Sequence, residues 1–129
     1  MPKLITVHLL GNQISEVPVN SFRGTPLKYL NLSNNKITYL VDNFCLKLKN
    51  SGAKLKKFLF EPNPWQCACL NDLLKEVKRL NIEYHGVKFD GKHRVCATTD
   101  EFNCKRQQSF NDFYIDLYND KMMIIIIIR

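Results

Sequence analysis

Apolar positions in the first half of the chain recur in a fixed frame. Leu4, Val7, Leu9, Ile14 and Val17, with Asn12 among them, return 23 residues later as Leu27, Leu30, Leu32, Ile37 and Leu40 with Asn35. A third start follows 28 residues further on at Leu55, Phe58 and Phe60, with Asn63 in the same slot. Self-similarity at such a period marks stacked supersecondary units, none of which buries its apolar side alone. Within each unit two apolar residues are separated by one other, so a strand sends both inward and the residue between them outward. One short strand per repeat is therefore predicted.

The outward positions then fall into rows: Thr6, Tyr29 and Lys57, next to His8, Asn31 and Leu59, next to Leu10, Ser33 and Glu61. Asn12, Asn35 and Asn63 take an inward slot, where a carboxamide satisfies loop backbone groups of its own and the adjoining repeat, as a leucine cannot. After the first strand, Val17 to Phe22 is read as an irregular return with Phe22 dipping into the core. Cys45 stands in the equivalent slot of the second repeat and is read as a small buried apolar filler. Asn50-Ser51-Gly52-Ala53 lengthens this repeat and is predicted to bulge as a turn on the convex or lateral side.

The frame over residues 4–63 resembles the extracellular leucine-rich repeat family, whose motif is L-x-x-L-x-L-x-x-N-x-L. The resemblance implies an α/β solenoid, a short horseshoe fragment of about three parallel strands whose concave face binds other proteins. On that reading Tyr29, Asn31, Lys57, Leu59 and His8 form the ligand-binding face, and Asn12, Asn35 and Asn63 are structural. Asn31-Leu32-Ser33 is also an N-x-Ser sequon, which makes Asn31 a candidate glycosylation site.

At Asn63-Pro64-Trp65-Gln66-Cys67-Ala68-Cys69-Leu70 the repeat gives way to a cysteine-rich stretch that continues to Cys96 and Cys104. Zinc and thiol redox sites use C-x-x-C spacings, whereas these cysteines are spaced C-x-C and then with seven residues between Cys96 and Cys104. A disulfide framework fits better, and four cysteines alone allow three pairings. Leu70, Leu73, Leu74, Val77 and Leu80 recur at helical spacing, with Asn71 or Asp72 near the start and Asn81 as the stop. With Trp65, that apolar face is expected to cover the end of the last repeat.

The stretch 63–104 resembles the C-terminal cysteine-rich flanking domain of leucine-rich repeat proteins. The resemblance implies the pairs Cys67–Cys96 and Cys69–Cys104 and divides the chain into repeats (1–62), a disulfide-bonded cap with one helix (63–104) and a tail (105–129). In the tail, Phe110, Phe113, Tyr114, Leu117 and Tyr118 have helical spacing, and Met122 to Ile128 is low-complexity.

Five cysteines in 129 residues point to an oxidising compartment, so a secreted protein or an ectodomain is expected. No leader is visible at Met1, and the absence of an N-terminal lid suggests a C-terminal fragment or a truncated gene product. The seven-residue apolar run Met122–Ile128 falls short of the ~20 residues needed to span a bilayer. A net charge of +7 suits an anionic glycan or membrane surface, and Lys47, Lys49, Lys54, Lys56 and Lys57 are the residues for that alternative. His85 and His93 are read as exposed loop residues, and no nucleophile, base and orienting group occur together. The expected function is thus non-enzymatic binding of an extracellular protein ligand, with no cofactor, metal or nucleic-acid partner.

Overall fold

In a computed structural model, the structure describes residues 6–8, 11, 13–22, 24, 26–85, 95–99 and 101–119, the first three by their backbone alone. Three strands, β1 (Thr6–His8), β2 (Tyr29–Asn31) and β3 (Lys57–Leu59), form a parallel sheet in the order β1-β2-β3. Register follows the repeat frame: Val7 is opposite Leu30, and Leu30 opposite Phe58. Leu30 and Phe58 point inward and are fully buried. Beyond β3 a single rung continues the ladder, since Phe58 N–H donates to Glu83 O (2.9 Å) and Glu83 N–H to Lys56 O (2.8 Å).

The core lies between the sheet and the segments that return behind it. Leu27, Leu30, Leu32, Ile37 and Leu48 are fully enclosed, and Phe22 joins them from a 3-10 turn at Val19–Phe22. Behind the second repeat runs α1 (Phe44–Asn50), whose Phe44 ring stacks on Phe58 at 5.9 Å. The sequence pattern expects no helix here, only Cys45 in the core slot equivalent to Phe22 and a bulging turn over residues 50–53. Asn50 to Ala53 ends the helix: Gly52 takes φ 109°, its N–H reaches Lys49 O (3.1 Å), and Ala53 N–H reaches Leu48 O (3.1 Å). Those two bonds satisfy the last carbonyls of the helix, and the glycine accepts a φ that a side chain would resist. Ser51 and Gly52 form the predicted turn, with Gly52 exposed, while Ala53 is buried.

The second helix, α2 (Cys67–Arg79), starts four residues before Asn71 and so includes both Cys67 and Cys69. Asn71 and Asp72, expected near the start, fall in its second turn. No side chain caps it; Cys67 N–H donates to Ala97 O (2.8 Å), so a distant backbone group replaces the local cap that sequence reasoning looks for. Its end follows a local rule. Asn81 adopts φ 57°, Asn81 N–H bonds Lys78 O (3.2 Å), and Ile82 N–H bonds Val77 O (2.9 Å). Leu70, Leu73 and Val77 pack into the same core as the repeats.

The third helix, α3 (Asn111–Asn119), docks through Tyr114 and Asn111, both buried, and Thr38 Oγ1 donates to Asn111 Oδ1 at 2.5 Å. Phe113 faces solvent, so the predicted aromatic stripe is only partly used. Among the described residues of 63–104, α2 is the single helix, as expected for that stretch; α3 lies in the tail, whose aromatic residues have helical spacing, and α1 is the unexpected one. No helix among them is long and apolar enough to cross a membrane. Met122 to Ile128 lies outside the described residues.

Candidate functional site

Strand register brings the outward residues into two rows, Thr6–Tyr29–Lys57 and His8–Asn31–Leu59. Lys57 sits between two neighbours: its Nζ lies 5.8 Å above the Tyr29 ring and 3.5 Å from Glu83 Oε2. Its side chain is about one-third exposed and that of Glu83 about two-thirds, so the ion pair contributes little stability, roughly 0–1 kcal/mol. Both contacts leave the ammonium beside the tyrosine. Tyr29, Lys57 and Leu59 are each half-buried, presenting aromatic, cationic and aliphatic surface together. For His8 the structure gives the strand position alone.

Asn31 departs from the expected face. It is buried, at 8% exposure, and its Oδ1 accepts Ser33 N–H at 3.0 Å. Flanked in register by His8 and Leu59, it has little side chain left to offer a ligand. Ser33 is buried too. In the same row Glu61 has a buried Oε1 without a hydrogen-bond partner among the described residues, and burial pushes its carboxyl up to about 8.

Two inward asparagines form a polar ladder behind this face. Asn63 Oδ1 accepts Asn35 N–H (3.0 Å) and Ile37 N–H (3.3 Å), while its Nδ2 donates to Leu32 O (2.8 Å) and Phe60 O (3.0 Å). Asn35 repeats the arrangement one unit earlier, accepting Ile14 N–H (3.3 Å) and donating to Leu32 O (2.9 Å). Asn12 lies outside the described residues. Trp65 follows Asn63, fully buried, with its indole N–H on Phe60 O at 2.8 Å.

At this end of the sheet Cys67 is bonded to Cys96 and Cys69 to Cys104, both from the first turn of α2. Several polar residues that carry this region have no place in the repeat frame. Gln66 grips the backbone of Lys105 from both sides, with Nε2 donating to Lys105 O (2.8 Å) and Oε1 accepting Lys105 N–H (2.9 Å). Glu76, from α2, accepts the N–H groups of Cys45 (3.0 Å) and Leu46 (3.2 Å) at the start of α1. Arg106 bonds Leu40 O through Nε (3.1 Å) and pairs with Asp72 (3.0 Å) and Asp42 (3.7 Å). One signal for Glu76 was present: an acid standing in the apolar stripe of α2, next to Val77.

Cys45 is free and buried beside that carboxylate. Burial first, then the charge of Glu76, raises its thiol well above the ordinary cysteine range, which keeps it protonated and unreactive. Among the described residues no group of three or more His, Cys, Asp or Glu could hold a metal ion. His85 is exposed, and His93 lies outside the described residues.

Residues 26–48, which run from before β2 into α1, match the family described as Leucine Rich Repeat. A leucine-rich repeat is therefore present there, a shorter stretch than the 4–63 over which the motif is legible. Such repeats generally act as protein-binding modules. No curated protein and no solved structure matches the chain.

Proposed function

We propose that this chain is a non-enzymatic, extracellular protein-binding module in which stacked leucine-rich repeats form a short solenoid and residues 63–104 form its disulfide-bonded cap. The ligand is a protein that meets Tyr29, Lys57 and Leu59, with His8 at the margin. One observation carries this reading: the half-buried Tyr29, with Lys57 held 5.8 Å above its ring, stands beside Leu59 on one face of a parallel sheet. A partly exposed tyrosine is among the side chains that most often anchor the centre of a protein interface. Two disulfides favour an oxidising compartment.

The test is binding of the tagged, oxidised chain to the surface of intact cells at several salt concentrations. Tyr29→Ala combined with Leu59→Ala should weaken saturable binding on the order of tenfold or more, as loss of a central aromatic anchor does. That binding should persist in salt. Binding untouched by the double substitution, or abolished by modest salt alone, would sink the proposal.

A further inference from the structure

Away from the sheet face, a cavity of about 250 Å3 opens between the end of α1, the approach to β3 and the end of α2. Its floor is Cys45, Ala53, Leu55, Leu80 and Ile82, and Lys49, Lys54 and Lys56 stand at its rim. All three lysines are exposed, and none meets a carboxylate among the described residues. Among the described residues no acid lines the cavity, and Glu76 and Glu83 are engaged elsewhere, Glu76 on the amides of Cys45 and Leu46 and Glu83 on Lys57.

The cations select an anionic partner, and the floor narrows the class. An apolar cavity of about 150 Å3 holds a benzene molecule, so this recess has room for one phenyl or branched aliphatic side chain. A sulfated glycan has nothing to place on an apolar floor. A bilayer surface, being broad and flat, reaches the rim but not the recess. We propose that the cavity binds an acidic, extended segment of a partner protein, one apolar side chain entering between Lys49, Lys54 and Lys56 while flanking carboxylates meet the three ammonium groups. The site shares no residue with the sheet face and does not depend on its reading.

The experiment compares two fluorescein-labelled peptides, Glu-Asp-Phe-Asp-Glu and Glu-Asp-Ser-Asp-Glu, by fluorescence anisotropy with the intact, oxidised chain. The phenylalanine peptide should bind on the order of tenfold more tightly, as expected for burial of one aromatic side chain. Replacing Lys49, Lys54 and Lys56 together by Gln should weaken it by a similar factor at low salt. At high salt the gap between the two proteins should close. Tyr29→Ala should leave the affinity unchanged. Equal affinity for the two peptides would overturn the proposal, as would tighter binding of heparin or of phosphatidylserine vesicles than of the phenylalanine peptide. The peptide comparison uses the unaltered protein, so it stands whether or not the lysine variant folds.

Discussion

Asn63→Ala tests the polar ladder most directly. Asn63 is buried at 2% exposure and makes four hydrogen bonds, but its removal does not strand four partners. Leu32 O keeps the Nδ2 donor of Asn35 (2.9 Å), and Phe60 O keeps the indole N–H of Trp65 (2.8 Å). The stranded groups are the N–H groups of Asn35 and Ile37. An unsatisfied buried donor costs about 1–3 kcal/mol, so the substitution should cost roughly 2–6 kcal/mol. Against a total stability of about 5–15 kcal/mol for a domain, this is a large share.

Trp65 is the sole tryptophan and lies two residues away, so urea unfolding of the oxidised protein followed by its fluorescence is the assay. The shared acceptor supplies a sharper check. Either Asn35→Ala or Asn63→Ala leaves Leu32 O with one donor from the pair, and the double variant leaves it with neither. The double variant should therefore cost about 1 kcal/mol more than the two single changes added together. A loss below about 1 kcal/mol for Asn63→Ala, or strict additivity in the double variant, would refute the ladder as a source of stability.

Glu61→Gln should alter how stability depends on pH. The folded carboxyl is raised to about 8 by burial, so between about pH 4.5 and 8 the native state holds a proton that the unfolded chain releases. Stability then falls as pH rises through that window, and the Gln variant should flatten this part of the urea-midpoint profile and be the more stable protein at pH 8. A profile identical to that of the parent would reject the assignment. Cys45 should remain unlabelled by Ellman's reagent at pH 8 in the native protein and react once urea unfolds it; rapid native labelling would show that the thiol is accessible. Glu76→Ala should cost about 2 kcal/mol by stranding the amides of Cys45 and Leu46, measured by the same urea assay, and an unchanged midpoint would show that water replaces the carboxylate. Opening the Cys69–Cys104 bridge, which spans 35 residues, should cost roughly 3–4 kcal/mol in the chain-entropy model, and a loss under 1 kcal/mol would mean that the reduced chain stays ordered there.

The parallel strands were legible because the physics that sets them is local and repeated. Leu30 and Leu32 differ by one strand period, and the same offset recurs in each unit, so register between Leu30 and Phe58 follows from the frame. The second asparagine ladder position followed from the same frame. The α1 helix was not legible, although its stop was written in Ser51-Gly52-Ala53. Its start has no side-chain cap of its own: Asn43 takes φ 56° without a capping bond, and the carboxylate that receives the first amides comes from Glu76, 31 residues away.

Distance along the chain also explains the remaining differences. Gln66 is joined to Lys105 across 39 residues and Thr38 to Asn111 across 73, whereas a repeat frame constrains residues within one unit and its neighbour. Asn31 illustrates the limit from within the frame. Its outward direction follows from the strand period, but its burial depends on how closely the adjoining rows pack and on the Oδ1 bond to Ser33 N–H. Direction is therefore a property of the strand and exposure a property of the assembled face. Asn31 shares the outward direction yet is buried, while the half-buried Tyr29, Lys57 and Leu59 retain surface that a partner can reach.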